Sequence, residues 1–133
     1  MSARADNVRF APWELQAVQV RATIVGWKIE NDNDYHIVIA DPGNPGETMI
    51  AEPPSSACSG ACSSGYGALF QSARQAFVAC MGDPPAQFGY RNTTIVAVIT
   101  GVPMFDVLHG QTGVAPNGIE IHPVISVTFE SGC

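Results

Sequence analysis

Apolar and polar side chains alternate through most of the chain, and that period of two predicts strands. Residues 16–29 (QAVQVRATIVGWKI) alternate and are rich in β-branched side chains, so they read as a long first strand with Gly26 at a bulge or bend. The cluster Glu30-Asn31-Asp32-Asn33 reads as a turn, and residues 34–40 (DYHIVIA) as a second strand that completes a hairpin. A Pro/Gly-rich turn follows at 41–46. Residues 47–52 (ETMIAE) form a short third strand, ended by Pro53-Pro54. Ser and Gly dominate 55–65, a loop. The period then changes: in residues 66–80 (YGALFQSARQAFVAC), Leu69, Phe70, Ala73, Phe77 and Cys80 share one helical face, and Gly82-Asp83-Pro84-Pro85 stops the helix. Residues 93–101 read as a fourth strand, 102–118 as a long loop, and 119–129 (IEIHPVISVTF) as a fifth strand.

The order β-β-β-α-β-β is that of the OB-fold, a five-stranded Greek-key barrel with a helix between strands three and four. The expected division is an irregular arm at 1–15 and a single OB-like barrel domain at 16–130. An open sheet with the helix packed on one side is the alternative.

The period of two also sorts the polar side chains. In the last strand, Ile119, Ile121, Pro123, Ile125, Val127 and Phe129 are expected to face inward, which puts Glu120 and His122 together on the other face. In the second strand Tyr35, Ile37 and Ile39 share the apolar face, and Asp34 and His36 the opposite one. The chain has three histidines, His36, His109 and His122. In an OB-fold the loop before His36 and the loop holding His109 flank the same face. The expected site therefore gathers these imidazoles with the carboxylates Asp32, Asp34 and Glu120. The long loop is expected to be ordered, anchored by Phe105, Val107 and Leu108, with tight turns at 109–113 and at Ala115-Pro116-Asn117-Gly118.

Composition narrows the classes. Six Lys+Arg against twelve Asp+Glu give a net charge of −6, which disfavours non-specific nucleic-acid binding. Hydrophobic residues make up 46%, which fits a packed core, and no apolar run approaches the roughly 20 residues that span a bilayer. The four cysteines, Cys58, Cys62, Cys80 and Cys133, suggest two disulfides, and a bridge from Cys58 or Cys62 to Cys80 is favoured. Disulfides suit an oxidising exterior, so an extracellular or periplasmic location is expected, although no apolar leader is visible at the start. Asn92-Thr93-Thr94 fits a glycosylation sequon.

The stretch HGQTGVAPNGIEIHPV, with VRATIVGWKIENDNDYHIVIADP and TMIAEPP before it, resembles the signature of a family of small, mostly uncharacterised bacterial proteins. The resemblance covers most of residues 18–129. It implies an exported protein with an OB-like barrel and no particular activity. The family often has Asp-Gly-Asp before the DYH tripeptide. Here Asp32-Asn33-Asp34 keeps both carboxylates and replaces the glycine.

Three readings of the polar set follow. In the first, His109, Asn117, Glu120 and His122 form a hydrogen-bonded network that pins the loop. In the second, His36, His109, Glu120 and His122 supply ligands to a divalent metal, zinc favoured, with Asp34 as ligand or support. A metal-bound water would then hydrolyse a phosphoester or carboxyester, with Glu120, His122 and His109 as catalytic residues and Arg21 or Lys28 balancing anionic charge. In the third, the protein is a non-enzymatic module for a small molecule or glycan, with Trp27 and Tyr35 as stacking platforms and Asp34, His36 and Asn117 as polar contacts.

Overall fold

The computed structural model describes residues 16–55, 67–91, 94–106 and 108–133. The arm at 1–15, Cys58, Cys62, Val107 and the Asn92-Thr93 part of the sequon lie outside the described residues. Among the described residues strands predominate, with one helix. They are β1 (Val18–Ile29), β2 (Tyr35–Asp41), β3 (Asn44–Ala51), α1 (Gly67–Met81), β4 (Gly89–Tyr90), β5 (Val96–Phe105) and β6 (Ile119–Ser131). The expected order holds, with one addition: the two-residue β4, which pairs with β1 at Gly26 and Trp27.

The strands form one mixed sheet in the order β2-β3-β6-β5-β1-β4, and β1 also pairs with β2. All pairings are antiparallel except β3 with β6, which run parallel at Ile50↔Glu120 and Ala51↔Ile121. Strand β1 serves three partners: Val18–Thr23 pair with β5, Thr23–Ile29 with β2, and Gly26 and Trp27 with β4. The register shifts between Ile24 and Gly26, where a bulge was expected. Glycine is required there, because a Cβ on residue 26 would lie 2.5 Å from the carbonyl oxygen of Gly89 and 2.7 Å from the Phe88 ring.

The core lies between the inner sheet face and α1. It contains Ile24, Trp27, Tyr35, Ile37, Ile39, Ala73, Phe77, Ile99 and Val124. Helix α1 buries Phe70, Ala73, Phe77 and Met81, and Phe77 meets Phe129 of β6 edge to face at 5.6 Å. Leu69, expected on that face, is exposed.

Two strand readings need correction. Strand β5 runs four residues beyond Gly101, into the segment read as loop. Pro103, Met104 and Phe105 pair with Ile121, Glu120 and Ile119, across a register shift between Gly101 and Pro103. Proline in a run usually argues against a strand, and the bulge is what accommodates it. The same irregularity breaks the expected inward face of β6. Ile121 and Val124 are fully buried, three positions apart, while Ile125 is half-buried. A bulge shifts the phase of every residue beyond it.

The disulfide also differs from expectation. Cys80, at the end of α1, is bonded to Cys133, with their Cα atoms 5.0 Å apart.

Candidate metal centre

Strand β2 is buried on both faces. Tyr35, Ile37 and Ile39 point into the core, and His36, Val38 and Ala40 are equally enclosed on the other side. The cover is the loop after β5. Gly113 lies against Val38, where a Cβ would come within 2.5 Å of the valine methyls, and its φ of 80° lies in the region that favours glycine. The hydroxyl of Thr48 on β3 donates to the Gly113 carbonyl at 2.9 Å. A turn closes at Ala115–Gly118 as expected, and another at Gln111–Val114, one to two residues past the expected 109–113. Leu108, expected as an anchor, is exposed, whereas Ala115 is buried.

This cover fixes His36. Its Nε2 lies 2.8 Å from the Thr112 carbonyl oxygen. A carbonyl only accepts, so Nε2 carries the hydrogen and donates it. Nδ1 therefore faces two carboxylates, Glu52 Oε2 at 3.5 Å and Glu30 Oε2 at 3.8 Å. Glu30 closes β1, and its backbone bonds in both directions with the turn before β2.

Glu52 reaches the site through the parallel pairing of β3 with β6. Its N–H donates to the Ile121 carbonyl at 2.8 Å, and its carbonyl accepts from Val124 at 3.1 Å. That clamp brackets His122. The second oxygen of Glu52, Oε1, lies 3.6 Å from His122 Nδ1, and Glu120 Oε1 lies 3.4 Å from the same nitrogen. His122 Nε2 faces Asp34 Oδ2 at 3.7 Å. The other Asp34 oxygen accepts from the Ser55 N–H at 2.7 Å, and the Asp34 N–H donates to Asp32.

Among the described residues, two groups of side chains thus present donor atoms close enough together to hold a metal ion: Glu30, His36 and Glu52, and Asp34, Glu52 and His122. Glu52 belongs to both.

The protonation states follow from the crowding. Burial opposes charge on His36, but Glu30, Glu52 and the Thr112 carbonyl outweigh it and push its pKa up to about 10. The neighbouring His36 and Glu52 hold Glu30 down at about 2. Burial pushes Glu52 up to about 8. It also raises Asp34, against the Ser55 N–H. For His122, burial is outweighed by Glu120, Glu52 and Asp34, and the pKa rises.

The structure brings together His36, His122, Asp34 and Glu120, as the topology argument expects. It does not bring in His109, whose ring is 60% exposed and faces Asp106 Oδ2 at 3.6 Å. Glu120 is buried and backs His122, but it belongs to neither group of candidate ligands. Asn117 accepts from the Ile119 N–H at 3.1 Å, closing the turn into β6. Trp27 and Tyr35 are core residues packed edge to face at 5.4 Å, so neither offers a stacking platform. The Tyr35 ring is also covered by the Arg74 guanidinium, 3.8 Å from its centroid. The Arg21 Nε–H is shared between the two carboxylate oxygens of Glu130, at 2.9 and 3.1 Å, away from the site.

Glu52 and Glu30 are the residues that sequence reasoning missed. Each stands at a strand end beside a turn, where an acidic side chain carries no periodic signal. No family model matches this chain, and no curated protein or solved structure matches it either.

Proposed function

We propose that the protein binds a divalent metal ion, zinc by preference, between His36 Nδ1 and the carboxylates of Glu30 and Glu52. The observation that carries this reading is the direction of His36. Its Nε2–H is spent on a backbone carbonyl, which is how ligating histidines are commonly oriented. The opposite nitrogen then faces two carboxylates at 3.5 and 3.8 Å. Those separations exceed the roughly 2.7–3.2 Å of a good hydrogen bond. They lie nearer the edge of a ligand tetrahedron, about 3.4 Å for bonds of about 2.0–2.1 Å. The space suits a cation better than a shared proton.

Other features support the setting. The circuit of pairings β1-β2-β3-β6-β5-β1, with β3 and β6 parallel, supports an OB-like barrel. The Cys80–Cys133 bond supports an oxidising, extracellular or periplasmic location, in keeping with the resemblance to exported bacterial proteins. Hydrolysis of a phosphoester or carboxyester is the chemistry that a metal-bound water would supply. The small-molecule reading has a separate place: a cleft of about 550 Å³ lined by Ala22, Ile39, Met49, Val114, Pro116 and Asp41, which contains none of the candidate ligands.

Calorimetric titration of chelator-treated protein with zinc chloride tests the reading. Saturable binding that His36→Gln abolishes is expected. No binding heat in the wild type, with a stable fold, would overturn it and leave a protonated His36 as a structural ion-pair partner.

A further inference from the structure

We infer that Asp34, Glu52 and His122 form a second cation position, so that Glu52 bridges two metal ions. This rests on the first position and extends it. The two oxygens of Glu52 are divided between the two histidines: Oε2 faces His36 and Oε1 faces His122. A carboxylate placed so that each oxygen serves a different imidazole has the form of a bridging ligand in a two-metal site.

Asp34, Glu52 and His122 present ligand atoms within 4.8 Å of one another. Glu120, only 2% exposed, faces His122 Nδ1 at 3.4 Å, the nitrogen that Glu52 Oε1 also faces at 3.6 Å. The opposite nitrogen, Nε2, then faces Asp34. Asp34 is oriented as well, because its Oδ1 accepts from the Ser55 N–H and Oδ2 is the oxygen turned to His122.

Charge points the same way. Four carboxylates, Glu30, Asp34, Glu52 and Glu120, surround two imidazoles. The second position is also the more open. His122 is 19% exposed against 4% for His36, so water reaches the second ion more readily. Paired ions of this kind typically sit about 3.5–4 Å apart and clamp the attacking and leaving oxygens of a displacement.

Equilibrium dialysis of the full chain against cobalt(II), followed by elemental analysis, tests the inference. Two cobalt ions per chain are expected in the wild type, and one in each of Asp34→Asn and His122→Gln. Circular dichroism confirms the fold of each variant, and Asp34→Asn serves if His122→Gln does not fold. One ion per chain in the wild type, unchanged by Asp34→Asn, would overturn the second position and leave the first intact. No bound ion would overturn both.

Discussion

His36 is the residue on which the site turns. It is almost completely buried, and both ring nitrogens face defined partners. Its folded pKa of about 10 stands against an ordinary value of 6.5, so the metal-free folded state holds a proton that the unfolded chain releases between those pH values. That contribution to stability is complete below pH 6.5 and is lost as pH rises through 10. Glu52, raised from 4.5 to about 8, acts in the same direction from pH 4.5 upward. Glu30, lowered to about 2, acts in the opposite direction: its contribution is present above 4.5 and lost as pH falls toward 2. Urea melts of the metal-free protein are therefore expected to show greatest stability near pH 5 and a steady decline toward pH 10. The melting-temperature gain from added zinc should grow between pH 5.5 and 7.5, because the ion displaces these protons. A zinc gain that shrinks with rising pH would contradict the site. His36→Gln should cost about 1–3 kcal/mol in urea melts, through its partners left buried and unpaired. Asp34, His36 and His122 were legible in the sequence, since alternation placed them off the apolar faces. Glu52 and Glu30 were not, because what selects them is the chain clamp at Ile121 and Val124 and the turn into β2.

Among the elements, the loop after β5 sets the site's precision. The alternation predicts one loop over 102–118, but its first part is strand, and its remainder, 108–118, lies on β2 and β3. Proline at 103 hid the strand, and the accompanying bulge defeated the alternation that would have revealed it. Gly113 seats this cover, at a φ of 80° and against Val38. Gly113→Ala should therefore destabilise by roughly 1–3 kcal/mol and weaken zinc binding, because Thr112 would lose its hold on His36. Gly110 has a similar φ but nothing within 4 Å, so Gly110→Ala should cost less and leave zinc affinity unchanged. Chemical denaturation and zinc titration of both variants check this. Equal losses would show that the cover's packing does not govern the site.

At the largest scale, the succession of strands and the helix among the described residues were readable from periodicity, whereas the register that pairs distant strands was not. The parallel β3–β6 contact carries Glu52 to His122, and no local signal announces it. The Cys80–Cys133 bond joins the end of α1 to residue 133 across a separation of 53 residues. By loop-closure entropy it contributes about 4 kcal/mol. Cys133→Ser should lower stability by up to that amount while leaving zinc stoichiometry unchanged, since neither cysteine is a candidate ligand. A loss of zinc in the folded variant would tie the bond to the site. The most direct test of metal binding is anomalous diffraction at the zinc edge from crystals soaked in zinc. The account predicts a peak within bonding distance of His36 Nδ1 and Glu52. Zinc found only at surface side chains, with His36 still facing Glu30 and Glu52 across an empty gap, would contradict it.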